Sequence, residues 1–352
     1  MNNFDLDKII RPNIKTLKPY SSARDEFKGE ASVYLDANEN AFGSPLPQAY
    51  HRYPDPMQYA VKMRLSAIKG VPARNIFLGN GSDEAIDILF RSFCNPGVDN
   101  VIIVPPTYGM YEVSANINDV EIKRVNLTED FQLNLEGIAE AIDKNTKLIF
   151  ICSPNNPTGN SINREDIETL LANFNGIVVV DEAYINFSRQ KTFIQELTEY
   201  SNLVVLQTLS KAWGLAALRV GMAFASEEII EVFNRVKPPY NINEASQQLA
   251  LEALQNVDQV NSWIKEILKE RDALVISLKN FDFVIVIYPS DANFILVKTA
   301  DADGIYNYLT EQGIIVRNRN KVELCEGCLR ITIGTNEENQ AIINTLKNFK
   351  TI

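Results

Sequence analysis

Lys211 stands just beyond the apolar run 203–206, beside Ser210 and three residues before Gly214. A lysine at the end of a buried strand is costly unless its charge is neutralised or used. Condensation of its amine with an aldehyde cofactor, giving an imine, does both. Asp181 closes the run 177–180, where a carboxylate can pair with a protonated pyridine nitrogen and keep such a ring an electron sink. Arg219 follows Lys211 by eight residues and offers a forked contact to a phosphate. Phe77-Leu78-Gly79-Asn80-Gly81-Ser82-Asp83-Glu84 reads as a strand end, a glycine turn and a helix start. Ile86, Leu89, Phe90 and Phe93 recur at helical spacing, so a helix is expected near Ser82, with Ser82 as its N-cap. Free amides and the helix dipole there suit a phosphate. Tyr184 and Asn156 could bond a phenolic oxygen of the same ligand. Each feature has an ordinary structural reading by itself: a snorkelling surface lysine, a carboxylate helix cap, one more capped turn.

The elements that must position these residues are legible as four short apolar runs, 101–104, 148–151, 177–180 and 203–206. Continuous rather than alternating hydrophobicity predicts strands covered on both faces. Amphipathic stretches such as 164–174 lie between them, so a mostly parallel α/β sheet flanked by helices is expected. Each run is followed at once by special residues: Pro105-Pro106-Thr107-Tyr108-Gly109, Ser153-Pro154-Asn155-Asn156-Pro157-Thr158-Gly159, Asp181-Glu182-Ala183-Tyr184, and Thr208-Leu209-Ser210-Lys211. Ligands of open α/β sheets bind outside the carboxyl ends of the strands. Turn residues that only end strands would explain one of these segments, and explain four poorly. After Pro238-Pro239 helical patterning runs over 244–278, and 283–287, 293–297, 314–317 and 329–333 read as strands of a smaller α+β domain. The expected division is 40–245 for the large domain, with 1–39 and 246–352 forming the small domain and an N-terminal arm.

Composition narrows the classes. A net charge of -11 argues against nucleic acid as the main partner. An anionic ligand must then be met by a few placed arginines and amides. No apolar run reaches the roughly 18 residues of a membrane span, and residues 1–12 have no signal-peptide core, so no membrane partner and a cytoplasmic location are expected. Cys325 and Cys328 form a CxxC pair, but a structural zinc takes four Cys or His ligands and the one histidine, His51, is remote. No metal is expected, and the cysteines read as ordinary buried residues. His51 without a Ser or Cys elbow also removes the common triads.

Asn156-Pro157-Thr158-Gly159, Asp181-Glu182-Ala183-Tyr184 and Ser210-Lys211-(x)7-Arg219 occur in the order seen in fold type I, pyridoxal-phosphate-dependent enzymes. The chain resembles that aspartate-aminotransferase-fold group and, within it, the histidinol-phosphate aminotransferase family. Supporting stretches are Leu35-Asp36-Ala37-Asn38-Glu39-Asn40, Arg52-Tyr53-Pro54-Asp55-Pro56, Pro106-Thr107-Tyr108-Gly109-Met110-Tyr111 and Cys328-Leu329-Arg330-Ile331-Thr332. The resemblance implies pyridoxal 5'-phosphate as cofactor, with Lys211 as imine lysine and proton shuttle and Asp181 on the pyridine nitrogen. It further implies Asn156 and Tyr184 at the phenolic oxygen, Tyr108 stacked on the ring, and Ser82, Asp83, Thr208, Ser210 and Arg219 around the phosphate. Tyr53 would reach that phosphate from the other subunit of a homodimer. Tyr20, Asn38, Arg317 and Arg330 would line the substrate site. The implied reaction is transamination between histidinol phosphate and 2-oxoglutarate, giving imidazole-acetol phosphate and glutamate.

Two rivals share these cofactor residues. A related aminotransferase for aromatic or other amino acids, or a decarboxylase of a phosphorylated amino acid, differs only in substrate contacts and bond cleaved. A cofactor-binding regulator without turnover would carry a basic DNA-binding domain, for which the acidic chain has no segment before the catalytic region.

Overall fold

The computed structural model describes residues 4–20 and 31–349, so the expected arm 1–39 is described only in part. The large sheet contains β1 (Ile76–Asn80), β2 (Asn100–Ile103), β3 (Glu121–Arg124), β4 (Thr146–Cys152), β5 (Ile177–Asp181), β6 (Leu203–Thr208) and β7 (Val220–Phe224). Their order is β1-β7-β6-β5-β4-β2-β3. The neighbours from β6 across to β3 are parallel, whereas β7 runs antiparallel to both β6 and β1. Every residue of β2, β5, β6 and β7 is buried. Successive side chains feed two cores, as strand alternation demands. Ile149, Ile151, Val178, Val180, Leu203 and Val205 pack on one face. Leu148, Phe150, Ile177, Val179, Val204 and Leu206 pack on the other, against the helix Ser82–Phe93 and the helix Glu227–Val236.

The smaller sheet is fully antiparallel, β10-β11-β9-β8, from β8 (Val284–Ile287), β9 (Phe294–Thr299), β10 (Arg317–Asn318) and β11 (Cys328–Thr332). Leu274, Leu278, Ile305, Leu309, Ile342 and Ile343 of three helices cover it. The two sheets are thus the expected large parallel-type layer and smaller α+β unit.

Several local expectations shift. The strand expected over 314–317 shrinks to Arg317–Asn318, because the Ile314 amide is spent on Leu309 O at 2.8 Å, closing the helix Ala302–Glu311 past Gly313 at φ +77°. The helical stretch 244–278 is two helices, Glu244–Ala253 and Val257–Leu278. Ser82 is not an N-cap: Gly81 holds that position with φ 72° and ψ 172°, a backbone geometry open to glycine. The start of the chain packs on the large domain rather than the small one. Ile10 and Ile14 join the cluster of Phe90 and Phe93, and the Arg11 amide donates to Ser92 O at 3.0 Å.

The four cysteines are free and buried, and no group of three or more metal-ligating side chains occurs among the described residues. No helix among them is long and apolar enough to cross a membrane.

Candidate active site

The register of the sheet explains why distant residues converge. β2, β4, β5 and β6 are parallel, so their carboxyl ends share one edge. β7 is antiparallel to β6, so it starts at that edge, and β1, antiparallel to β7, ends there. Asn80 pairs with Val220, and Thr208 pairs with Gly221. The Gly81-Ser82 turn, Arg219 and the Ser210-Lys211 loop are thereby brought together, although 139 positions divide Ser82 from Gly221. Gly221 is what allows the closeness: a Cβ there would lie 2.1 Å from Ser82 N and 2.2 Å from Gly81 C.

A cavity of about 560 Å³ opens on this edge. Twelve of the residues expected at the site line it: Ser82, Asp83, Tyr108, Asn156, Asp181, Tyr184, Thr208, Ser210, Lys211, Arg219, Arg317 and Arg330. At one end, the helix Ser82–Phe93 has no side-chain cap, so its first amides lack partners within the helix. Arg219, held at φ 54°, accepts the Gly81 N–H on its carbonyl at 2.8 Å. Its Nη2 meets Asp83 Oδ2 at 3.2 Å, and Nη1 donates to Ser210 Oγ at 3.4 Å. The Tyr108 hydroxyl donates to the other Asp83 oxygen at 3.1 Å. Asp83 therefore orients both side chains, while Thr208 Oγ1 accepts the Ser210 amide at 3.0 Å.

Asp181 is 2% exposed. Its Oδ2 accepts the Tyr111 hydroxyl at 2.7 Å, and Oδ1 accepts the Ala183 amide at 3.0 Å. Burial pushes its carboxyl up to about 6, against the opposing pull of those two hydrogen bonds. No ion pair to Asp181 occurs among the described residues, although such a buried anion favours a cationic partner. Lys211 Nζ sits 5.5 Å from the Tyr184 ring centroid and likewise has no ion pair. Its side chain is open to the cavity. Loss of solvent among the walls, then the charge of Arg330, pull its ammonium below the ordinary lysine value.

Arg317, Arg319 and Arg330 line the same cavity. Arg330 donates to Asn156 Oδ1 and lies 5.1 Å from the Phe294 ring centroid. The Nε atoms of Arg319 and Arg330 are buried without a partner. Arg319 was missed in the sequence, although its spacing of two from Arg317 puts both on one side of an extended segment. Tyr111, three residues after Tyr108 on a helix, was missed as well. Gly221 carries no signal of its own, since its role depends on a close approach between strands distant in sequence.

Tyr20, Asn38 and Tyr53 do not line this cavity. Tyr20 is 75% exposed. Asn38 and Tyr53 border a second cavity of about 470 Å³, where Tyr53 stacks on Tyr240 with centroids 4.5 Å apart.

The chain and its fold match known proteins. Residues 35–346 match the family model described as aminotransferase class I and II. A histidinol-phosphate aminotransferase of Cytophaga hutchinsonii is 56% identical over 98% of this chain and 99% of its own length. One from Parabacteroides distasonis is 55% identical over the same shares. The crystal structure of a histidinol-phosphate aminotransferase from Sinorhizobium meliloti in complex with pyridoxal-5'-phosphate superposes with a TM-score of 0.77, covering 95% of each chain at 23% identity, which establishes the fold. The chain belongs to the class I and II aminotransferases and, among them, to the histidinol-phosphate aminotransferase family.

Proposed function

We propose that this protein uses pyridoxal 5'-phosphate to transfer an amino group between histidinol phosphate and 2-oxoglutarate, giving imidazole-acetol phosphate and glutamate. One observation carries the reading: a single cavity is lined by an uncapped helix start with Arg219, a buried carboxylate without a cation, a free amine, and three further arginines, Arg317, Arg319 and Arg330. The donor set fits the cofactor. The Ser82 and Asp83 amides, the Thr208 and Ser210 hydroxyls and Arg219 would hold its phosphate, Asp181 its protonated ring nitrogen, and Asn156 with Tyr184 its phenolic oxygen. Tyr108 would cover the ring face. Bound there, the cofactor supplies an aldehyde that primary amines condense with and a protonated ring that withdraws electrons.

The remaining roles belong to the chain. Lys211 Nζ, with its lowered proton affinity, would serve as the amine that holds the cofactor and then, once displaced by the substrate amine, as the base that carries a proton from the substrate carbon to the carbon of the aldehyde group. Asp181 keeps the ring nitrogen proton in place by its uncompensated charge. Arg330, Arg319 and Arg317 bind the anionic group of either substrate, the phosphate of histidinol phosphate or a carboxylate of glutamate.

The active unit is a homodimer with shared sites. Val33, Leu35, Phe42, Tyr59 and Met63 are 60–102% exposed, a density of apolar surface that a second copy would cover. Tyr53 belongs to the same stretch and would reach the partner's phosphate seat.

A donor screen with 2-oxoglutarate as acceptor tests the reading. Histidinol phosphate is expected to exceed phenylalanine in kcat/KM by at least about a hundredfold, the worth of two charge-assisted bonds to a phosphate. Comparable turnover of phenylalanine, or carbon dioxide release from threonine phosphate, would favour the related aminotransferase or the decarboxylase instead.

A further inference from the structure

A fully buried polar contact to Asp181 comes from a residue that does not line the cavity. Tyr111 is fully buried, on the helix Met110–Ile117 that follows β2. Its ring stacks on Phe150 with centroids 4.8 Å apart and meets Tyr108 edge-on at 5.6 Å, and Phe90 stacks behind Phe150 at 5.4 Å. Held in this stack, the ring aims its hydroxyl at Asp181 Oδ2, 2.7 Å away.

We propose that Tyr111 is a positioning residue that keeps Asp181 ionised and fixes the orientation in which it meets a cationic ring nitrogen. The inference rests on the cofactor reading above. A buried carboxylate needs donors to remain charged. A lysine or arginine donor would also neutralise the charge that the ring nitrogen requires. A phenol stabilises the anion and leaves its full charge for a ligand. With Oδ2 held by Tyr111 and Oδ1 by the Ala183 amide, the carboxylate plane is pinned, and each oxygen retains one lone pair. The titratable groups around it are Tyr111 on the helix, Cys152 on β4, Asp83 at the helix start, Lys211 after β6, and Tyr108 and Tyr184 on the flanking loops. Among them, Tyr111 supplies the side-chain hydrogen bond to Asp181.

The test separates hydrogen bonding from packing. Full-length protein labelled with 13Cγ-aspartate is titrated by NMR without cofactor, the Asp181 resonance being assigned by its loss in Asp181→Asn. Tyr111→Phe keeps the ring stack and removes the donor, so the Asp181 midpoint should rise by about one pH unit or more, as loss of a hydrogen bond to a charged group implies. Replacing Tyr111 by 3-fluorotyrosine strengthens the donor, so the midpoint should fall. In the holoenzyme, the acid limb of kcat/KM should move in the same directions. If both proteins are folded and neither midpoint moves, Tyr111 only packs, and the proposal is overturned. Should Tyr111→Phe fail to fold, the fluorotyrosine protein decides by itself. Because the NMR titration contains no cofactor, its failure is distinct from a failure of pyridoxal phosphate to bind, which would overturn the proposed function instead.

Discussion

Gly221→Ala adds a single methyl group, and its effect follows from distances alone. The new Cβ would lie 2.1 Å from Ser82 N, 2.2 Å from Gly81 C and 2.8 Å from Gly81 O. Ordinary contacts between such atoms are about 3.5 Å, so the turn must retreat by more than about 1 Å. All three atoms are backbone and have no rotamer to yield. The turn is further tied by the Gly81 N–H to Arg219 O bond and by the Asn80–Val220 pairing. Overpacking of this kind costs about 1–3 kcal/mol, or more where backbone must move. The functional effect should be larger than the loss of stability. Moving the Ser82 and Asp83 amides by 1 Å or so breaks two bonds to a charged phosphate, about 3–6 kcal/mol together, or roughly a hundred- to ten-thousandfold in cofactor affinity. The assay is a fluorescence titration with pyridoxal phosphate, alongside thermal melting. Gly176→Ala is the control: its Cβ would meet Lys147 O at 2.5 Å and the Phe174 ring at 2.3 Å, beside the start of β5 and at the opposite edge of the sheet from the cavity. It should lower Tm while leaving affinity unchanged. Wild-type affinity in Gly221→Ala, or an equal loss in Gly176→Ala, would refute the reasoning.

Three further outcomes are expected. Lys211→Ala should abolish both turnover and borohydride-trapped cofactor on the chain; because Lys211 has no ion pair to lose, stability should change by less than about 1 kcal/mol, and a trapped adduct mapped to another lysine would reassign the role. Asp181 holds its proton up to about pH 6 in the folded chain, against about 3.9 when unfolded. The native state therefore binds more protons at this group between those values, and the contribution of Asp181 to cofactor-free stability, read as the difference from Asp181→Asn, should be greatest below pH 4 and fall as pH rises to 6, by at most about 3 kcal/mol. Urea melts across that range should show the slope, and an equal slope in Asp181→Asn would assign it to other groups. Tyr53→Phe keeps the stack on Tyr240 and should weaken cofactor affinity about ten- to a hundredfold. Mixed with Lys211→Ala chains under subunit exchange, it should recover a fraction of sites with wild-type affinity if Tyr53 serves the neighbouring site, and none if it serves its own.

Much of this was legible in the chain itself, because local chemistry dictated it. Short continuous apolar runs alternating with amphipathic stretches read as strands buried on both faces, and parallel strands gather the residues that follow them at one edge. That was enough to bring Lys211, Asp181, Asn156 and Tyr184 to one place. The length of β10 and the true cap of the helix Ser82–Phe93 were misjudged, since hydrogen bonds made by neighbouring turns decide such ends. Other features exist only in three dimensions. The antiparallel insertion of β7 between β1 and β6 leaves no periodic signature, yet it sets Gly221 against Ser82 and Arg219 beside the helix start. Tyr111 acquires its role by facing Asp181 across 70 residues of chain, and Arg319 by crowding against Arg330 and Arg317. Residue type and spacing determine which groups can do chemistry; which group holds another in place depends on contacts between strands and helices remote in sequence, and only the packed structure decides them.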